Sequence, residues 1–388
     1  MVTKKRNKNA VVIEGSQAVA RAVKSCDVKV IAAYPITPQT HIVQELAKMH
    51  ANGEIDCEYI NVEAEFSAIS AVLGSTAAGV RSFTATSSQG LALMNEVLYA
   101  TAGMRIPVVM VVCNRALSAP INIWNDHQDS IAERDSGWIQ IYVESVQEAV
   151  DSLIQAYKIS EDKKVLLPSM VCMDGFYLTH VYEPVVIPEK EEVEKFLPAF
   201  EYPYPLDPEK PLTMGPLSFP NDYARLRKQL FEATLASKNK IIKANKDFKK
   251  CFGRSYGDGL IEVYGDGKIA IVSMGSLCST IKEYVDSNKD VCLVKIRTFR
   301  PFPREELKKI LEEKEKVIVM EKNISLGHAG AVFMELATAL YGTGIEIYDF
   351  IVGSGGIDVP LSTINYVVER VKKNKEKPGS VVFIDKVI

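Results

Sequence analysis

Short apolar runs alternate with segments of helical periodicity along two stretches of the chain. In the first stretch, residues 28–34 predict a strand, 40–49 a helix and 57–62 another strand. A helix of small residues follows over 65–79, then a strand over 82–86, a helix over 91–103 and an apolar strand over 108–113. In the second stretch the strands are 269–273, 292–296 and 317–320; helices run up to Ser287, up to Lys314 and over 333–341. Continuous apolar strands separated by helices are the pattern of parallel sheets covered on both faces. The fold class expected is therefore α/β, with two doubly wound parallel-sheet domains over residues 1–183 and 260–388.

The region between them, 184–259, has a different texture. Nine of the 18 prolines fall between Pro184 and Pro220. Proline lacks the amide donor and resists both helix and central strand, so this segment reads as an extended connector that crosses a surface or wraps a neighbour. Residues 221–252 are charged and helical in pattern, with apolar positions at Leu226, Leu230, Phe231, Leu235, Ile241 and Ile242.

Composition narrows the function. With 388 residues, 47% hydrophobic and 24% charged, the chain can bury sizeable cores. Lys+Arg 46 against Asp+Glu 49 gives a net charge of -3, which offers no global field toward nucleic acid or an acidic membrane. The longest apolar run, 106–113, is eight residues, far below the ~18 needed to span a bilayer. The basic start, 1–8, reads as a solvated tail without a signal-peptide core, and the location expected is cytoplasmic. Seven cysteines lie at least 14 residues apart with no C-x-x-C, so no zinc ribbon or ferredoxin-type cluster is encoded and reduced thiols are expected.

Four segments of the first stretch could carry chemistry. Tyr34-Pro35-Ile36-Thr37-Pro38-Gln39-Thr40 follows a predicted strand, at the end where open α/β sheets bind ligands. It reads either as a rigid turn with Thr40 capping a helix or as a presentation of the Thr37 hydroxyl. Glu65 opens an otherwise apolar helix; it is either a first-turn acid favoured by the helix dipole or a desolvated glutamate sharing a proton with a ligand nitrogen. Small residues at Ala68, Ala71, Gly74, Ala78 and Gly79 would let another element approach that helix. In Thr84-Ala-Thr-Ser-Ser-Gln-Gly-Leu, Ser88 reads as an N-cap whose helix start has amides for an anion, and Gly90 permits close approach. Arg115 directly follows the strand 108–113; its fork suits a small carboxylate, or an ion pair with Asp126 or Asp129. Asp126, His127 and Asp129 read as a turn network rather than a metal site, and no metal site is expected in this chain. Gly257-Asp-Gly259 and Gly265-Asp-Gly267 imitate a diphosphate motif but precede strands instead of helices, so both read as hairpin turns.

Taken in order and spacing, residues 34–40, 63–74, 84–91, 114–120 and 124–129 resemble the α subunits of multisubunit 2-oxoacid:ferredoxin oxidoreductases, the pyruvate-specific group foremost. The similarity extends through 174–176 and 296–303 and so covers nearly the whole chain. The resemblance implies a pyrimidine-binding domain for thiamine diphosphate followed by a transketolase C-terminal-like domain. It implies that Glu65 hydrogen-bonds the aminopyrimidine ring, with Pro35, Ile36, Ser88, Gln89 and Gly90 in the same cofactor pocket. Thr37 and Arg115 match the residues that contact the substrate carboxylate. It further implies coenzyme A as cosubstrate and ferredoxin as electron acceptor. The Mg²⁺-diphosphate end would sit on a β subunit, and iron–sulfur clusters on partner subunits, γ and a ferredoxin-like δ. The same reaction on another 2-oxoacid (2-oxoisovalerate, 2-oxoglutarate, oxalate) is one alternative; a non-catalytic ligand-binding or structural subunit is the other, to be separated by whether Glu65, Thr37 and Arg115 meet in one cleft.

Overall fold

The computed structural model describes residues 10–388; the basic tail expected over 1–8 lies outside the described residues. The first half runs β1 (Val11–Glu14), α1 (Gly15–Ser25), β2 (Val30–Ala33), α2 (Thr40–Ala51), β3 (Glu58–Asn61) and α3 (Glu65–Ala77). It continues with β4 (Ser82–Thr86), α4 (Ser88–Leu93), α5 (Asn95–Gly103), β5 (Val109–Asn114), α6 (Gln128–Ala132) and β6 (Ile139–Tyr142). Then come α7 (Val146–Ser160), β7 (Ser169–Asp174), β8 (Tyr182–Val185), α8 (Lys190–Phe196) and the long α9 (Pro220–Phe252). The second half runs β9 (Ile261–Tyr264), β10 (Ile269–Ser273), α10 (Leu277–Ser287), β11 (Val291–Ile296), β12 (Thr298–Arg300) and α11 (Arg304–Leu311). It closes with β13 (Lys316–Glu321), α12 (Ala331–Ala339), β14 (Glu346–Ile351), α13 (Leu361–Lys372) and β15 (Val381–Phe383).

Two large sheets result, as the pattern predicts. The first has the order β12-β6-β7-β5-β4-β2-β3, parallel except for β12; the second has the order β15-β14-β13-β10-β11-β9, parallel except for β9. Every residue of β5 and β7 is buried, which is why these strands run without polar alternation. The edge strand β3 is mostly exposed and correspondingly polar. A small antiparallel pair, β1 with β8, flanks the first sheet.

Three expectations change. The helix read over 91–103 is two helices: the Met94 amide divides between the Gly90 and Leu91 carbonyls and tightens the chain into a turn. The Gly265-Asp-Gly267 segment is not a hairpin, because β11 lies between β9 and β10 in the sheet. Gly257-Asp-Gly259 follows α9 rather than a strand, so it is not a hairpin either but a turn closed by the Asp258 carboxylate, which accepts from the amides of Leu260 and Ile261 at 2.8 Å each. Neither segment opens a helix, so the rejection of a diphosphate motif is unaffected.

The connector does run over a surface: the Leu206 amide donates to Ala77 O at the end of α3. Proline at its first position starts α9 without wasting an amide donor, and Gly253 at φ 72° ends it. Between them Leu230, Ile241, Ala244 and Phe248 are buried, Phe248 edge-on to Phe196 of α8 at 5.2 Å. Two buried ionic clusters weld the halves. Glu148 of α7 takes Lys295 Nζ at 2.6 Å and Arg297 Nε at 3.1 Å. Asp174, at the end of β7, takes His127 Nε2 and Lys322 Nζ at 2.8 Å each and Ser276 Oγ at 2.5 Å. Among the described residues no helix is long and apolar enough to cross a membrane.

Candidate functional site

β5, β4 and β2 are neighbours in the first sheet, and the chain leaves each of them at its carboxyl end into one of the segments singled out above. After β2 the turn carries exposed Pro35 and Thr37, with Ile36 half-buried. A residue not anticipated from the sequence holds this turn. Gln39 is fully buried, its Nε2 donating to Ala85 O of β4 at 2.8 Å while its Oε1 accepts from the Ile36 amide at 3.2 Å. A buried amide satisfied at both ends ties this turn to the neighbouring strand.

Arg115 follows β5 and is nearly buried. Its Nη1 donates to Thr37 O at 3.0 Å and its Nε to Asn122 O at 3.0 Å. Neither Asp126 nor Asp129 receives its guanidinium in a hydrogen bond, so the ion-pair alternative does not describe it. Burial lowers the guanidinium's pKa from its ordinary value while nearby Asp129 opposes the change. A cation tied only to neutral carbonyls keeps its charge uncompensated by a direct partner, which suits an incoming carboxylate.

Asp129 acts on the backbone instead. Its Oδ2 accepts from the amides of Ser88 and Arg115, both at 3.0 Å. Its Oδ1 accepts from Asn114 Nδ2 at 2.8 Å and the Ser130 amide at 2.7 Å. Burial pushes this carboxyl up to about 6, against those hydrogen bonds. One carboxylate thus locks the strand-end segments of β4 and β5 together. Asp129→Asn turns an amide donor toward groups that already donate, at a cost of about 1–3 kcal/mol. The melting temperature of the full chain carrying Asp129→Asn should fall by a few degrees; a thermal melt unchanged from wild type would contradict the locking role.

Ser88 is not the cap. The capping position is Ser87, whose hydroxyl donates to Cys113 O at 2.7 Å, while Ser88 begins α4 at φ 50°. The Ser88 amide is taken by Asp129 and its hydroxyl donates to Ala116 O at 2.6 Å, so this short helix start is not an anion site. Gln89 reaches the loop after Arg115, its Nε2 donating to Ser118 Oγ at 2.6 Å.

Glu65 opens α3 as expected and is 7% exposed. The neighbouring element is α4: a Cβ on Gly90 would lie 2.5 Å from Glu65 Oε1 and 2.6 Å from Thr86 Oγ1. The hydroxyls of Thr84 and Thr86 are buried without a hydrogen-bond partner. Glu65, Ser88-Gln89-Gly90, Thr37 and Arg115 therefore lie along one linked rim of strand ends. His127 and Asp126 do not join it; they face Asp174 and the Gly355 amide respectively, in the contact between halves. On the outward side of α3, Phe66 is exposed and Gly74 has nothing within 4 Å of a built Cβ; Leu93 and Tyr99 are exposed beside it. Among the described residues the small-residue stripe is thus uncovered at Gly74.

Two protein families match the chain: "Pyruvate flavodoxin/ferredoxin oxidoreductase, thiamine diP-bdg" over residues 21–246, and "Pyruvate:ferredoxin oxidoreductase core domain II" over 267–364. The chain is 52% identical over 373 residues to pyruvate synthase subunit PorA of Methanocaldococcus jannaschii, covering 94% of this chain and 95% of that one. It is 49% identical over 383 residues to the PorA subunit of Methanosarcina barkeri, covering 96% and 95%. Against ketoisovalerate oxidoreductase subunit VorA of Pyrococcus horikoshii the identity is 43% over 373 residues, covering 93% of each. In fold it is similar to 2-oxoglutarate:ferredoxin oxidoreductase from Magnetococcus marinus, with a TM-score of 0.72 and 19% identity, over 96% of this chain and 66% of that one.

Proposed function

The chain belongs to the pyruvate flavodoxin/ferredoxin oxidoreductase family, and from that premise we propose that it is the α subunit of a pyruvate:ferredoxin oxidoreductase complex. The complex would convert pyruvate and coenzyme A to acetyl-CoA and CO₂, passing the electrons to ferredoxin, or run the reverse synthesis. The observation that carries the reading is the rim itself: an Arg115 fork bonded to the Thr37 carbonyl, at strand ends adjoining a buried Glu65. Pyruvate is favoured over 2-oxoisovalerate because the PorA relatives reach 46–52% identity and the VorA relatives 42–43%.

The residues present fit the aminopyrimidine end of thiamine diphosphate. Gly90, lacking a Cβ, leaves Glu65 Oε1 and Thr86 Oγ1 facing a common space, and the Thr84 and Thr86 hydroxyls await polar partners. When bound, the cofactor supplies the carbanion chemistry needed for decarboxylation. Glu65 holds a proton between its carboxylate and the ring nitrogen, in a setting that excludes most water. Arg115 and the Thr37 turn orient the 2-oxoacid carboxylate, and Gln39 and Asp129 keep those two groups in place.

The sequence lacks both a strand–GDG–helix segment for the diphosphate and cysteine clusters for electron transfer. A β subunit would bring the first, and partner subunits, γ and δ, the iron–sulfur clusters. The exposed Phe66, Leu93 and Tyr99 beside the cofactor rim support a partner chain seated there. All seven cysteines are free, in keeping with a reducing cytoplasm.

The test is the complex purified from its source cell and assayed with a panel of 2-oxoacids, wild type beside Arg115→Ala. A charge-assisted bond worth ~1.5–3 kcal/mol predicts a pyruvate KM roughly 10–100-fold higher in the variant, with kcat less affected. An unchanged KM removes Arg115 from the substrate site. Faster turnover of 2-oxoisovalerate than of pyruvate overturns the substrate assignment.

A further inference from the structure

Away from the cofactor rim, three residues distant in sequence meet on the flank of the first sheet. Glu14 ends β1, His41 lies in the first turn of α2, and His180 lies between β7 and β8. Pairing of β1 with β8 sets Glu14 opposite Tyr182 and so brings His180 alongside. One ligand atom from each of Glu14, His41 and His180 lies within 4.8 Å of the others. His41 Nδ1 stands 2.6 Å from Glu14 Oε1, and the two imidazoles are 4.5 Å apart between ring centres.

We propose that Glu14, His41 and His180 form a binding site for one divalent transition-metal ion of the zinc type. A simple ion pair would need only Glu14 and His41. The second imidazole adds nothing to such a pair, and two imidazolium rings at this separation would repel each other. Two neutral imidazoles and a carboxylate are instead the donor set that borderline divalent ions select over Mg²⁺ or Ca²⁺. The surroundings are also those of a ligand set. Thr179 Oγ1 lies 2.6 Å from His180 Nδ1 and itself accepts from the Phe176 amide at 2.8 Å, so the ring is held from behind. The Tyr182 hydroxyl donates to Glu14 Oε2 at 3.4 Å. The Glu14 side chain is 9% exposed and that of His41 is 44% exposed, which gives a buried anionic base and an open side for entry and for water ligands. Donors ~2.1 Å from a tetrahedral ion stand ~3.4 Å apart, so an entering ion parts the 2.6 Å His41–Glu14 pair and draws in the donors that lie farther apart, within 4.8 Å.

The site is placed to matter for the turn beside it. His41 follows Thr37 by four residues, and on the other side Gly175 abuts Pro38, where a Cβ would meet Cγ at 2.7 Å. A bound ion would therefore fasten the start of α2 to the segment after β7 and hold the Thr37–Pro38 turn between them.

The experiment is calorimetric titration of the chelator-stripped full chain with ZnCl₂, comparing wild type, His41→Ala and His180→Ala. One Zn²⁺ per chain is expected, with affinity at least tenfold weaker in each variant and a Zn²⁺-dependent rise in melting temperature seen only in the wild type. Because His41 is half-exposed, its alanine variant should fold even if that of His180 does not, and it decides the matter alone. Absence of stoichiometric binding overturns the proposal. So does binding that His41→Ala leaves intact but His50→Ala removes, since His50 Nδ1 lies 4.0 Å from Cys57 Sγ and is the competing pair.

Discussion

Replacing Glu65 with alanine in the assembled complex is expected to lower pyruvate-dependent viologen reduction by about 10²–10⁴-fold, the range typical of a lost proton-transfer group. The expectation rests on where the carboxylate sits. It opens α3, is almost wholly shielded, and shares with Thr86 the space that Gly90 leaves open. Nothing in its position suggests a role in holding the fold, so gel filtration should return an intact complex. Glu65→Gln keeps shape and removes the titrating oxygen; it should be nearly as inactive as the alanine form. Turnover within tenfold of wild type in either variant would falsify the assignment of Glu65.

The second large effect lies at the junction of the halves. Asp174→Asn strips the anionic partner from buried Lys322 and from His127, and breaking a buried pair on one side costs roughly 3–5 kcal/mol. The melting temperature of the full chain should fall by about 5–15 °C. Its pH dependence has a definite sign. Burial pushes the Asp174 carboxyl up, but Lys322 and His127 outweigh it and hold the group well below the usual carboxylate range. A carboxylate with a depressed native pKa adds stability that is fully present above its unfolded value of ~3.9 and fades as pH drops below it. The gap between wild type and Asp174→Asn should thus be constant from pH 7 to about pH 4.5 and narrow on further acidification. A gap that instead widens toward acid, or a melting temperature shared by both proteins at pH 7, would show that the buried charge does not stabilise the junction.

The same residues mark what could and could not be read from the chain. Strands such as Ser82–Thr86 and Ile269–Ser273 were legible to the residue, because buried parallel strands announce themselves as short apolar runs between helices. The placement of Glu65, Thr37 and Arg115 at strand ends was legible from the strand pattern, whereas the roles proposed for them came from the family resemblance. α7 was not. Its buried Glu148, Asp151, Ser152 and Gln155 look like a solvated face until Lys295, Arg297 and Arg254 arrive from more than a hundred residues away. Gln39 was missed, and Asp129 was read only as a turn or ion-pair residue, for a related reason: their partners are largely backbone groups, and a backbone partner leaves no trace in residue type. Glu14, His41 and His180 share that difficulty, since only the pairing of β1 with β8 brings them together.

The short strand β12 carries a consequence for how the protein comes into being. It belongs to the second half of the chain yet closes the edge of the first sheet against β6. During synthesis at ~5–20 residues per second, β6 emerges roughly 150 residues ahead of β12, so that edge stands bare for about 10–30 s. An uncovered strand edge is a template for aberrant pairing between nascent chains. A gene fragment ending before residue 298 leaves β6 as a bare edge and should give a smaller soluble fraction than the full chain. The same closure ties the two halves together through backbone hydrogen bonds as well as through the buried ionic clusters.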